Sequence, residues 1–170
     1  SNCTWYAAAA ITEAFGIPLN SGLYGKTGKF SSSLGNGAEW ADHAQAAIDP
    51  NNPLHSTYKQ YQPYISAVDN IPQSGTIFST PGTKGNPAGH VMFVEEAKVV
   101  EIDGKKSWQI QVSEEIYGGT NGYPQAKQVN LPNQPDVKRW TREITLPIDS
   151  SGNADTTGKF IHFQNPDLKH

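Results

Sequence analysis

The first fifteen residues carry the strongest helix signal in the chain. Residues 4–15 include four consecutive alanines, and alanine has the highest intrinsic helix propensity. Trp5 and Phe15 fall on one apolar stripe at helical spacing, and a glycine and a proline follow Phe15 closely. The sequence therefore predicts a helix that buries one face, with the only cysteine, Cys3, at or just before its first turn.

The position of Cys3 suggests a chemical role. Free backbone N–H groups and the positive end of the helix dipole favour a thiolate over a thiol, and they can also bind an oxyanion. Asn2 is the predicted N-cap and a second candidate oxyanion ligand. The alternative is structural, because a lone cysteine is often a small buried apolar residue.

The rest of the chain changes from helix to strand. A second helix is predicted over residues 38–48 with Asn36 as its cap, followed by an irregular segment, residues 51–70, with one helical turn. Strands are predicted near residues 76–79, 89–102, 108–114, 137–146 and 159–163. Helices followed by strands predict an α+β domain, with a central antiparallel sheet packed on the N-terminal helices.

Composition excludes several classes of function. The 170 residues suffice for one domain, and we expect residues 1–170 to be a single catalytic domain excised from a longer protein. The net charge is −3 without a basic run, which argues against a nucleic-acid partner. The chain has no apolar stretch long enough for a membrane span. One cysteine excludes a disulfide framework, and no ligand spacing predicts a metal or another cofactor.

His90 is the best candidate for a base that activates Cys3. It follows a glycine-rich loop and begins an apolar strand on which His90, Met92 and Val94 share a face. On the return strand Glu114 shares the apolar face, whereas Glu115 belongs to the polar one. Alternation therefore predicts Cys3, His90 and Glu114 as a catalytic set, with the last two on the side of the sheet that faces the first helix.

Several short segments in the same order resemble the CHAP family, the cysteine, histidine-dependent amidohydrolases/peptidases, related to the NlpC/P60 superfamily. They are Asn2-Cys3-Thr4-Trp5-Tyr6-Ala7, Asn36-Gly37-Ala38-Glu39-Trp40-Ala41, Pro72-Gln73-Ser74-Gly75-Thr76-Ile77, Gly89-His90-Val91-Met92-Phe93-Val94-Glu95, Val112-Ser113-Glu114 and Phe160-Ile161-His162. The resemblance implies a papain-like fold. It also implies hydrolysis of an amide in bacterial peptidoglycan, either N-acetylmuramoyl-L-alanine or a stem or cross-bridge peptide bond.

The chain departs from the family at two positions. Asn2 stands where members commonly have glutamine, and Ile116 stands where many have asparagine; we expect Asn121 to substitute for the latter. Trp108 and Tyr117 are predicted to line a substrate groove, with packing on the sheet as the alternative for both. The segments 51–70 and 125–150 are longer than the family pattern, which suggests a role in substrate choice.

These features predict a monomeric cysteine amidase or endopeptidase that acts on peptidoglycan, located outside the cell, in the cell wall or with a phage. Two alternatives stay open. One is a thiol amidase with a substrate outside the wall, and the other is an inactive module that binds the cell wall. Alkylation of Cys3 by iodoacetamide near neutral pH would favour an enzyme.

Overall fold

The computed structural model describes residues 3–17, 19, 30, 33–115, 127–131 and 134–168. Within them, the helices are α1 (Cys3–Phe15), α2 (Trp40–Ile48) and α3 (His55–Tyr58), which leads into a 3₁₀ helix (Lys59–Tyr64). The strands are β1 (Ile65–Asp69), β2 (Ile77–Thr80), β3 (His90–Ile102), β4 (Lys105–Glu114), β5 (Lys127–Leu131), β6 (Gln134–Pro147) and β7 (Lys159–Phe163). No helix in this part of the chain has the length and hydropathy needed to span a membrane.

The seven strands form one antiparallel sheet in the order β1-β7-β2-β3-β4-β6-β5. The predicted long hairpin is confirmed: β3 and β4 pair from Phe93 opposite Ser113 out to Ile102 opposite Lys105. Its two turn residues, Asp103 and Gly104, have positive φ angles of 50° and 76°. Those angles suit a tight hairpin turn that matches the strand twist. The α+β class with helices packed on an antiparallel sheet is therefore confirmed.

The described residues form two apolar clusters, on opposite faces of the sheet. The first joins α1 and α2 to one face, where Val91 and Phe93 lie on β3. The second, on the opposite face, contains Met92 and Val94 of β3 and no residue of α1. The two predicted tryptophan anchors of the helices, Trp5 and Trp40, are both buried in the first cluster.

One sequence prediction about this packing is wrong. His90 and Glu114 were expected on the face that α1 covers, but they share the face of Met92, Val94 and Val112, which the second cluster occupies. Alternation along a strand identifies residues that share a face. It does not identify which of two apolar layers covers that face, because both layers give the same pattern.

Two local predictions also need correction. The second helix begins at Trp40 rather than Ala38, and Asn36 opens the preceding turn: its N–H donates to Glu39 Oε1, and its carbonyl accepts from the Glu39 N–H. The irregular segment 51–70 contains strand β1 as well as helical turns. That strand pairs with β7, about a hundred residues later, and no local sequence pattern reports such a partner.

Candidate active site

Cys3 is the first residue of α1 and lies against the beginning of β3. Its sulfur accepts hydrogen bonds from the backbone N–H groups of Thr4 and Val91, and it contacts the His90 side chain. Burial raises the pKa of the thiol, but the hydrogen bond and the charge of His90, together with the two N–H groups, outweigh burial. The pKa of Cys3 is therefore lowered from its ordinary value, which favours the nucleophilic thiolate.

His90 is held in place by close backbone packing. The Ala38 N–H donates to the Ala88 carbonyl at 2.7 Å, so the turn before α2 lies against the loop that precedes β3. A Cβ on Gly37 would lie 2.6 Å from the His90 backbone nitrogen. Gly89 has a φ of 71°, and a Cβ there would lie 2.5 Å from the Thr80 carbonyl oxygen. Only glycine permits backbone approaches this close. They fix the position of the His90 backbone, from which the ring projects.

The His90 ring joins Cys3 to Glu114. His90 Nε2 lies 2.7 Å from Glu114 Oε1, which leaves Nδ1 as the ring nitrogen available to the thiol. Burial lowers the pKa of His90, but the hydrogen bonds and charges of Cys3 and Glu114 more than reverse this and raise its pKa to about 9. The imidazolium is therefore favoured at neutral pH, and it contacts a thiol whose pKa is lowered, an arrangement that favours a thiolate–imidazolium pair.

Glu114 is fully buried and has two cationic neighbours. Besides His90, it binds Arg142 of β6, whose Nε lies 2.7 Å from Oε2 and whose terminal Nη2 lies 3.2 Å from Oε1. Burial raises the pKa of Glu114, but the hydrogen bonds and charges of His90 and Arg142 overcome this, and its pKa is lowered. The carboxylate stays ionised although none of its side chain is exposed.

Sequence reasoning missed Arg142, although a signal for it was present. Residues 140, 142, 144 and 146 of β6 are Trp, Arg, Ile and Leu, whereas residues 139, 141, 143 and 145 are Arg, Thr, Glu and Thr. A strand with this alternation has one apolar face, and Arg142 is the charged residue on it. The same reasoning that selected Glu114 over Glu115 thus points to Arg142.

A second polar chain, on the opposite face of the sheet, attaches α1 to the strands. The Tyr6 hydroxyl donates to Ser113 Oγ at 2.9 Å, and Ser113 Oγ donates to Glu95 Oε1 at 2.8 Å. Arg139 Nη1 donates to the same carboxylate oxygen at 2.7 Å. Tyr6 is one helical turn after Cys3, and Ser113 adjoins Glu114. These hydrogen bonds therefore fix the position of α1 relative to the strand that carries Glu114.

The structure brings together Cys3, His90 and Glu114 but not every residue predicted for the site. Trp108 lies six residues before Glu114 on β4, about 20 Å along an extended strand. Its indole N–H donates to the Gly152 carbonyl at 3.3 Å, and its ring packs on the second cluster. Its position does not support a substrate-binding role, because packing on the sheet accounts for it.

The remaining predicted residues, Asn2, Tyr117 and Asn121, lie outside the described residues, as does Ile116. Within the described ranges, no group of three or more His, Cys, Asp or Glu side chains is arranged to hold a metal ion.

Of three comparisons with known proteins, one assigns this chain to a family. A family model described as the CHAP domain matches residues 1–115, which include Cys3, His90 and Glu114. The comparison with curated protein sequences gave no match. A solved structure, the crystal structure of Ly7917 with the hydrolyzing product of MDP, aligns over 98% of this chain and 96% of its own, at 16% identity and a TM-score of 0.26. A similarity this low supports no conclusion about this chain.

Proposed function

Because the chain belongs to the CHAP family, we propose that it is a cysteine amidase or endopeptidase that cleaves an amide bond of bacterial peptidoglycan. The family supports a peptidoglycan hydrolase in general. The finer proposal, a Cys-His-Glu mechanism, rests on one observation: a continuous hydrogen-bonded chain runs from Cys3 through His90 to Glu114 at the N-terminus of α1.

The first step is attack by the Cys3 thiolate on the amide carbonyl carbon. The carbonyl oxygen becomes an oxyanion, and the backbone N–H of Cys3 at the start of the helix is placed to stabilise it. His90 takes the proton of the Cys3 thiol to form this thiolate, a transfer that the lowered pKa of Cys3 and the raised pKa of His90 favour. Asn2 is a proposed second donor to this oxyanion.

The second step needs an acid, and His90 supplies it. The imidazolium donates its Nδ1 proton to the leaving amine, the C–N bond breaks, and a thioester to Cys3 remains. The now neutral His90 then takes a proton from the water that attacks the thioester carbonyl; the C–S bond breaks, which releases the carboxylic acid and regenerates the Cys3 thiolate. Glu114 accepts the Nε2 hydrogen bond throughout, so the ring keeps its orientation and its positive charge is stabilised.

The proposal extends to the context in which the chain acts. A peptidoglycan substrate places the activity outside the cytoplasm, in the cell wall or with a phage. We propose that residues 1–170 act as one catalytic domain and as a monomer, with Asn121 and Tyr117 contributing to substrate contacts.

The test is digestion of purified peptidoglycan, with the soluble products identified by mass spectrometry. The wild-type protein should release fragments with new amine and carboxyl termini, and the mass of these fragments identifies the scissile bond. Cys3→Ala should reduce the rate by at least roughly 10³-fold, because the nucleophile is lost. His55→Ala is the control, since His55 Nδ1 lies 2.9 Å from the Ala46 carbonyl oxygen, where α3 packs on α2, and it should retain activity.

Three outcomes would contradict the proposal. Full activity of Cys3→Ala on peptidoglycan would exclude the thiol mechanism. A wild-type protein whose Cys3 reacts rapidly with iodoacetamide at neutral pH, yet releases no fragment from peptidoglycan, would instead indicate a thiol amidase with another substrate. An unreactive thiol together with binding to intact walls would indicate an inactive binding module.

A further inference from the structure

The proposed active site contains a fourth charged residue that the three-residue mechanism does not use. Arg142 holds both carboxylate oxygens of Glu114 through Nε and Nη2, at 2.7 and 3.2 Å. Its Nη2 also lies 3.3 Å from the sulfur of Met92, on the strand that carries His90. The guanidinium is thus fixed between two strands, with only 19% of the side chain exposed.

The four side chains alternate in charge along the series of contacts from Cys3 through His90 and Glu114 to Arg142. In the proposed reactive state the Cys3 thiolate is negative, the His90 imidazolium positive, the Glu114 carboxylate negative and the Arg142 guanidinium positive. The set is therefore neutral as a whole, and a buried set of charges is tolerable only when it is paired in this way. Without Arg142, the same site would carry a net negative charge, which favours the uptake of one proton.

We propose that Arg142 is a positioning residue that allows the Cys3 thiolate, the His90 imidazolium and the Glu114 carboxylate to be ionised together. It acts through Glu114, whose orientation its two-point contact fixes. This inference rests on the proposed function for its catalytic meaning, but the ionisation of Cys3 can be measured without any peptidoglycan. Uptake of a proton by the site lowers the fraction of Cys3 that is a thiolate. A proton on Cys3 does so directly. A proton on Glu114 does so because a neutral Glu114 no longer stabilises the His90 imidazolium.

The experiment measures the rate of Cys3 alkylation by iodoacetamide as a function of pH, in the folded full chain. The midpoint of the rise in rate reports formation of the thiolate. Arg142→Met should move this midpoint to higher pH by about one unit or more, a tenfold change in the proton-binding equilibrium. Arg142→Lys keeps the charge but loses the two-point contact, so its midpoint should stay near that of the wild type while kcat falls and KM does not change.

A matched control is available on the same strand. Arg139 pairs with Glu95 at 2.7 Å and is 26% exposed, so it is a partly buried arginine in an ion pair outside the four-residue set. Arg139→Met keeps the Tyr6–Ser113 and Ser113–Glu95 hydrogen bonds that attach α1, so it should leave the alkylation midpoint unchanged. A shift as large as that of Arg142→Met would mean that loss of any β6 ion pair disturbs the site, and it would overturn the inference.

The double variant Glu114→Gln, Arg142→Met tests whether Arg142 acts through Glu114. If it does, adding Arg142→Met to Glu114→Gln should move the midpoint much less than Arg142→Met moves it in the wild type. An unchanged midpoint in Arg142→Met, or an equal shift in both backgrounds, would overturn the inference. If the shifts follow this expectation while the wild type leaves peptidoglycan intact, the proposed function fails and the role of Arg142 stands.

Discussion

Replacement of Glu114 by glutamine tests how strongly the carboxylate stabilises the imidazolium. The pKa of His90 is raised from 6.5 to about 9. This corresponds to about 3 kcal/mol of preferential stabilisation of the protonated ring. Since only 14% of the His90 side chain is exposed, solvent screens this interaction little. Glu114 and Cys3 both raise the pKa of His90, and Glu114→Gln removes the contribution of Glu114.

The expected result is a change in the pH dependence as well as in the rate. Loss of the negative charge destabilises the imidazolium, so the pKa of His90 falls from about 9 toward 6.5. The alkaline limb of the pH profile of kcat/KM should move to lower pH by as many pH units as the pKa of His90 falls. The rate at the optimum should fall by roughly 10²–10⁴-fold, the range for removal of a group that supports acid–base catalysis.

The assay is release of soluble fragments from purified peptidoglycan across a pH series, with Glu115→Gln as the control. Glu115 has the same chemistry one residue along the chain, but alternation points it to the other face of the sheet. We expect Glu115→Gln to keep the wild-type profile. An alkaline limb that stays near pH 9 in Glu114→Gln would refute the pairing as the cause of the raised pKa. Loss of activity in Glu115→Gln alone would refute the facing argument.

Two further predictions concern the placement and titration of His90. Gly37→Ala should lower activity by about tenfold or more and destabilise the fold by about 1–3 kcal/mol, since the added Cβ would lie 2.6 Å from the His90 backbone nitrogen. Gly85→Ala, where a Cβ meets nothing within 4 Å, is the control, and equal effects of both on rate and urea midpoint would contradict the reasoning. Because folding raises the pKa of His90, its stabilising contribution is full below pH 6.5 and is lost as pH rises through about 9. The free-energy difference between wild type and His90→Asn in urea unfolding should therefore shrink between about pH 6 and pH 10, and a constant difference would contradict it.

Local sequence patterns were sufficient to predict those elements whose own residues favour the structure they adopt. The alanine-rich helix, its start at Cys3 and the β3–β4 hairpin were predictable because propensity and turn chemistry act over a few residues. The preference for Glu114 over Glu115 followed from a period of two residues, and the hydrogen bond to His90 agrees with it. Strand β1 was not predictable, since it is ordered by pairing with β7 at the far end of the chain.

The sequence by itself therefore determined the α+β class, the family and the three residue types of the proposed site. Only the tertiary structure decided which layer covers His90 and Glu114, because two apolar layers impose the same alternation on a strand. It also decided that Arg142 binds Glu114 and that Trp108 packs on the sheet. Both depend on which strands are neighbours, and strand order is set by the packing of the whole sheet rather than by any segment alone.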